Sequence, residues 1–489
     1  MAEHPPPPIF TSRYSTLPET LYREASLQPV SAPEALLLND ALADQLGLSY
    51  QWLHSSEALA ALAGNAALPH VPRLAMAYAG HQFGHFVPSL GDGRAALLGE
   101  LQLANGTGVD LHLKGSGRTV FSRGGDGRST LSAMLREYII SEAMAGLGIP
   151  TTRALAVVKT GDLVARDRLE PGAVLTRVAK SHVRVGTFQF AAVRGDHAAL
   201  TALVDLELAR NFPAVPSGTE RPIWFLRQAI ARQAQLIARW MSVGFIHGVM
   251  NTDNMSVVGE TIDYGPCAFM DGFDPQKTFS SIDQNGRYAW DKQPVVALWN
   301  LTRLAEALLP LINAQQEAAI ALAEAELKLF MPQFEAAFEV LFLAKLGITQ
   351  ARPDDAEFIA LTLRNMAHGL ADFTLFFSSL ADAFEAGCAD GLVSSFSSSA
   401  AAEAWFVQWI ARLEAEQACV ALMRRSNPRY IARNHRVAEA LASAEAGDMQ
   451  PLQDLLRVVA APFEQHVELE HLMAAPALHE EVLQTFCGT

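Results

Sequence analysis

Between residues 97 and 150 the hydrophobic pattern changes its period. Val109, Leu111 and Leu113 alternate with Asp110, His112 and Lys114, which predicts a strand with one apolar and one polar face. An apolar run from Leu97 to Leu103 precedes it, and Asn105-Gly106 between the two marks a hairpin with a slightly extended loop. Lys114 closes the second strand on its polar face. From about Ser129 the spacing becomes helical: Leu131, Met134, Leu135, Tyr138 and Ile139 share one face, and Gly146, Gly148 and Pro150 end the helix. Residues 222–243 predict a second amphipathic helix, which feeds the polar segment His247 to Asp263. Beyond Trp299 the chain is helical and alanine-rich, with Leu301, Leu304, Ala305, Leu308 and Leu309 on one face. Ser394 to Ser399 reads as a loop between helices. Upstream, Pro33 to Leu46 predicts a short helix with proline at its first position. The elements make an α+β half followed by a helical half.

Composition narrows the class. The 489 residues are 50% hydrophobic and 18% charged, which excludes a disordered chain, and no 18-residue apolar run is free of charge. No membrane partner is therefore expected. A formal net charge of −15 repels duplex nucleic acid, so a phosphate ligand needs a local basic cluster. Four scattered cysteines make neither a disulfide framework nor a zinc cluster. Pro5 to Pro8 read as a stiff leader rather than a signal peptide. A reducing compartment, the cytoplasm, is the expected location.

Three clusters carry chemistry. Gly91-Asp92-Gly93-Arg94 and the stretch from Gly115-Ser116-Gly117 to Gly124-Gly125-Asp126-Gly127 flank the hairpin that ends in Lys114. Glycines let backbone N–H groups approach phosphate oxygens, and a strand lysine held by a helix carboxylate, Glu137 or Glu142, can neutralise them. The second cluster runs from His247 to Asn254, with Asp263-Tyr264-Gly265 after it. Protein kinases space a histidine and a magnesium-binding asparagine in this way, followed by a metal-binding aspartate. Val249 occupies the position of the kinase base and cannot accept a proton, whereas Asp253 can. Asn254 and Asp263 offer hard oxygens suited to magnesium or manganese on phosphates. The third cluster, Arg177, Lys180, His182 and Arg184, suits a polyphosphate, and a helix would set Arg177 and Arg184 on one face. His81 and His85 lack the carboxylate or cysteine partner that a metal site needs.

Together these residues resemble the selenoprotein O family of protein adenylyltransferases, from about Tyr78 onward. The resemblance rests on Tyr78-Ala79-Gly80-His81-Gln82-Phe83-Gly84, Leu90 to Ala95, Lys114 to Gly117, Ser122 to Arg128 and Ser141 to Met144. It continues through His247 to Pro266, Gly286-Arg287-Tyr288, Trp299-Asn300-Leu301, Asn427-Pro428 and Arg433-Asn434-His435. It implies a bilobal, protein-kinase-like fold with a long helical C-terminal extension. The corresponding division is a leader (1–75), an N-lobe (76–190), a C-lobe (191–310) and the helical extension (311–489). It further implies an ATP inverted relative to kinases, bound by Gly91, Gly93, Arg94, Lys114, Asp126, Gly127, Arg177, Arg184 and Asp263. Asn254 and Asp263 would hold Mg2+ or Mn2+, Asp253 would accept the proton, and Glu137 would orient Lys114. The partners implied are ATP and proteins bearing Ser, Thr or Tyr hydroxyls, to which AMP passes with release of pyrophosphate. A kinase moving the γ-phosphate and an inactive ATP-binding scaffold are the rival readings. The family's animal members end in Cys-x-x-selenocysteine; here Cys487 is third from the end and Gln484 holds the partner position. A disulfide from the tail would need Cys267, Cys388 or Cys419.

Overall fold

The computed structural model describes residues 8–212, 218–414, 416 and 419–486; Cys487 and Pro5 to Pro7 lie outside them. The chain folds as a mixed α/β structure around an antiparallel sheet. Its early strands are β1 (Phe10–Thr11), β2 (Tyr22–Glu24), β3 (Glu34–Leu38), β4 (Leu74–Met76), β5 (Gly80–Gln82) and β6 (His85–Val87). β7 (Ala95–Gln102), β8 (Gly108–Lys114), β9 (Arg153–Ala165) and β10 (Leu169–Ala179) follow. The sheet order is β2-β4-β7-β8-β10-β9-β3, with β1 beside β7, while β5 and β6 form a separate hairpin. The expected hairpin about Asn105-Gly106 is present as β7–β8, with Lys114 opposite Ala95 on one side and Leu175 on the other. Residues 10–76 fold into this sheet through four strands rather than standing apart as a leader.

Alternation along the strands divides the interior in two. Leu111, Leu113, Val174 and Val178 join a core closed by α1 (Asp40–Gln45), α2 (Tyr50–Leu53) and α3 (Ser56–Leu62). Ala173 and Leu175 point to the opposite face, against α4 (Leu131–Gly146). Asp110, His112 and Lys114 lie on the polar face of β8 and are nonetheless buried. A row of charges under a covered sheet must be paired there or bind something charged.

The helix expected over Pro33 to Leu46 is a correction. Residues 34–38 form edge strand β3 on β9, and only Asp40–Gln45 is helical, capped by Asn39, whose side chain accepts from Leu42 N. Helix-favouring Ala and Leu yield here to the pairing that an open sheet edge offers. The remaining helices are α5 (Val185–Ala192), α6 (His197–Asn211), α7 (Arg221–Ser242), α8 (Gln293–Ile312), α9 (Gln316–Leu327), α10 (Phe330–Lys345), α11 (Asp355–Gly369) and α12 (Phe373–Ala386). α13 (Ser399–Leu413), α14 (Cys419–Ser426), α15 (Asn434–Glu445) and α16 (Gln450–Ala460) complete the series. Short strands β11 (Phe245–Ile246) and β12 (Ala268–Phe269) bracket the polar segment. The stretch Trp290–Ile312 is long and apolar enough to cross a membrane, and 50% of its most apolar window is buried inside the fold. α15 and α16 return to pack on α4 from the side away from the sheet. The contact is close: a Cβ on Gly146 would fall 2.0 Å from the Val459 carbonyl oxygen.

Candidate active site

Lys114 Nζ lies 2.6 Å from Glu137 Oε2, because the end of β8 faces the middle of α4. The helix carboxylate expected to hold the lysine is therefore Glu137; Glu142 instead binds Arg153 at 2.7 Å. Arg177 also reaches Glu137, with Nε 2.5 Å from Oε1. Asp263 joins the same network, accepting from Arg177 Nη2 at 2.6 Å, Lys114 Nζ at 3.2 Å and facing Arg184 Nη1 at 3.0 Å. Burial alone would raise the Asp263 pKa, but Arg177, Arg184 and Lys114 outweigh it and hold the carboxyl well below its ordinary range. Burial lowers the Lys114 pKa, aided by Arg177 and opposed by Glu137.

Arg177 and Arg184 do not share a helix. Arg177 projects from β10 opposite His112, and Arg184 caps α5, so a strand and a helix start deliver the two guanidinium groups to one carboxylate. The near-continuous apolar run Ala173-Val174-Leu175 belongs to a strand buried on both faces. Arg184 is fixed further by Tyr78, whose ring centroid is 4.4 Å away, and by the Asp253 carbonyl at 2.9 Å. Asp263 itself adopts φ 64°, the left-handed region that residues other than glycine rarely enter. Such an outlier sits where surrounding contacts over-determine the backbone, a condition met at functional sites.

Asp253 sits in a short 3-10 turn, Thr252–Asn254, at the junction of two contiguous cavities. The inner one, about 430 Å3, is lined by Arg94, Lys114, Arg177, Arg184, Asn254 and Asp263. The outer one, about 690 Å3, is lined by Gly91, Gly93, Arg94 and the 121–128 loop with Asp126 and Gly127. The residues assigned to ATP and metal thus line one cleft, whereas Lys180 and His182 of the basic cluster line neither cavity: Lys180 faces Glu260 and His182 is buried against Asp110. Gly91 and Gly93 are required by close approach, since a Cβ on Gly91 would meet the Phe121 ring at 2.3 Å and one on Gly93 the Phe121 carbonyl oxygen at 2.9 Å. Asp126, which pairs with Arg166 at 2.8 Å, holds the outer loop in shape.

Burial pushes the Asp253 carboxyl up to about 6. Its Oδ1 is buried without a hydrogen bond, and Oδ2 accepts a long bond from Gln82 at 3.4 Å. A carboxylate left this short of donors is a good proton acceptor near neutral pH. Asn254 donates its amide to the Val249 carbonyl at 3.0 Å, leaving its carboxamide oxygen as the acceptor end. That oxygen and Asp263 are hard donors that could hold Mg2+ or Mn2+. Among the described residues no three or more His, Cys, Asp or Glu form a metal cluster, so phosphates and water would complete the shell.

Sequence reasoning assigned no role to Tyr78, Gln82 or Asp92. Asp92 lies buried in the glycine turn, accepting from Met76 N and bonded to His112, both at 3.0 Å. Only its place between Gly91 and Gly93 hinted at this. Among the described residues, Cys388 and Cys419 are free thiols.

The model of the family described as protein adenylyltransferase SelO matches residues 8–460. This chain belongs to the SelO family. A protein nucleotidyltransferase YdiU of Rhodopseudomonas palustris (strain BisB5) is 52% identical over 487 residues, covering 98% of this chain and 99% of the relative. Those of Bradyrhizobium diazoefficiens and Nitrobacter hamburgensis are 50% and 48% identical over 98% of this chain, covering 99% and 96% of their own lengths. Like these SelO-family relatives, the protein is a nucleotidyltransferase enzyme, and the expectation drawn from its motifs holds at family level.

Proposed function

We propose that this SelO-family enzyme transfers AMP from ATP to Ser, Thr or Tyr hydroxyls of other proteins and releases pyrophosphate. The observation that carries this reading is the placement of Asp253. It lies between a deep cavity rich in cations and an outer cavity walled by glycines, with Val249 where a kinase base would stand. A triphosphate entering tail-first would put its β- and γ-phosphates against Lys114, Arg177 and Arg184, and its α-phosphate near Asp253. That is the inverted orientation. Asp253 takes the hydroxyl proton as the oxygen attacks the α-phosphorus, and the bond from the α-phosphorus to the bridging oxygen of the leaving pyrophosphate breaks. The buried guanidinium groups stabilise the charge that gathers on the leaving group. Asn254 and Asp263 would hold Mg2+ or Mn2+, which when bound neutralises phosphate charge. The antiparallel sheet with α4 and the helical remainder support a bilobal, protein-kinase-like arrangement. Few cysteines support a cytoplasmic location.

The test uses purified protein, divalent metal and a cell lysate, with ATP labelled in parallel at the α- or γ-phosphate. Incorporation of the α-label alone supports AMP transfer. Incorporation of the γ-label alone identifies a kinase and withdraws the inverted orientation, and label from neither, with ATP still bound, identifies a scaffold.

A further inference from the structure

Several motifs that gave the sequence its family resemblance lie outside the nucleotide cleft yet come together beside it. His81, on β5, packs against Phe86 of β6 with ring centroids 4.8 Å apart and edge-on to Trp299 of α8 at 5.0 Å. The guanidinium groups of Arg287 and Arg303 lie 4.9 and 5.0 Å from the Trp299 ring centroid. None of these five residues lines either cavity of the cleft.

The patch is nevertheless tied to the catalytic turn. His81 N donates to Thr252 Oγ1 at 2.7 Å, Phe83 N to Asn251 Oδ1 at 3.0 Å, and Gln82 to Asp253 at 3.4 Å. Tyr288, next to Arg287, donates its hydroxyl to the same Asn251 oxygen at 2.6 Å. A polypeptide lying on this patch would therefore reach the proton acceptor within a few residues.

Its charge is unusual for this molecule. Arg303 has Glu306 at 2.6 Å, but among the described residues Arg287 makes no ion pair with a carboxylate, in a chain of net charge −15. Phe86, opposite His81 in the β5–β6 hairpin, is 40% exposed. Burial lowers the His81 pKa, and Arg303 and Arg287 lower it further against the hydrogen bond from Gln189, which marks a positive local field. Aromatic faces carrying guanidinium groups are the composition of a protein-recognition surface.

We infer that the patch formed by His81, Phe86, Arg287, Trp299 and Arg303 docks the acceptor polypeptide and selects a segment with Asp or Glu beside the acceptor hydroxyl. The inference rests on the AMP-transfer reading above. Arg287 supplies the uncompensated charge, and Trp299 holds its plane so that a carboxylate can be met by two parallel N–H groups.

The experiment compares two synthetic peptides, each with one hydroxyl, one flanked by Asp and Glu and the other by Asn and Gln, using α-labelled ATP. Wild type should favour the acidic peptide in kcat/KM by about tenfold, with the ratio shrinking as salt is added. Arg287→Gln should bring the ratio towards one through KM for the acidic peptide, whereas Arg287→Lys should keep part of it. Equal use of both peptides by wild type, or an equal loss on both in Arg287→Gln, overturns the inference. If wild type labels no protein in a lysate from α-labelled ATP, the AMP-transfer reading fails and this inference falls with it. If lysate proteins are labelled but acidic flanks bring no advantage, only the docking role falls.

Discussion

Asp253 and Gly80 occupy nearly the same space: a Cβ on Gly80 would sit 2.2 Å from Asp253 Oδ1. Gly80→Ala should therefore displace the carboxylate, lowering kcat while the apparent affinity for ATP, read by calorimetry, changes little. The raised pKa has two consequences with opposite signs. In the proposed mechanism transfer needs the ionised form, so the rate should fall about tenfold per unit as pH drops below 6, measured as kcat against pH. Stability runs the other way. A carboxyl whose folded pKa, about 6, exceeds the ordinary 3.8 takes up a proton on folding, so its ionisation costs stability above pH 6. Asp253→Asn should accordingly raise the melting temperature at pH 8, by up to about 3 kcal/mol in unfolding free energy, while abolishing transfer. An unchanged or lower melting temperature would refute this. At this scale the residue types were legible, because carboxylates, lysine and glycines at turn spacing announce themselves. The bond-starved oxygen of Asp253 was not, since it depends on a hairpin more than 160 residues earlier in the chain.

The strand and the helix that meet at Lys114 and Glu137 were both readable from periodicity, and they stand where the alternation placed them. The partners of that pair were harder to read. Arg177 looked helical with Arg184 because seven residues make two turns, and only strand pairing across β8 and β9 shows that it belongs to a sheet. The Pro33 to Leu46 stretch failed in the same direction, its local preference overridden by a distant sheet edge. Glu137 now balances two buried cations, Lys114 and Arg177. Removing one member of such a group leaves charge uncompensated, so Glu137→Ala should cost about 3–5 kcal/mol of stability and most of the ATP affinity. Chemical denaturation with and without nucleotide measures both. Glu142→Ala, which loses the pairing with Arg153 and the hydrogen bonds from Asn39 Nδ2 and Ala154 N, should cost less and leave ATP binding nearly intact.

Across the whole molecule, the N-terminal strands and the C-terminal helices close the same region from opposite sides. Residues 10–76 extend the sheet, and α15 and α16 cover the back of α4. The helical character of the second half was legible in its alanine-rich pattern; its return onto α4 was not, because helix packing leaves no local signature. Deleting residues 434–486 should strip apolar cover from α4, with loss of both the cooperative thermal transition and ATP binding. A truncated protein that still melts cooperatively and binds ATP would refute this. The tight seat of Gly146 on Val459 carries a further consequence. A helix gripped on both flanks cannot serve as a lever. Swinging α4 to part Glu137 from Lys114 would mean prising the chain's own C-terminal half away. An inactive state reached by rotating that helix would therefore first have to break its packing against α15 and α16.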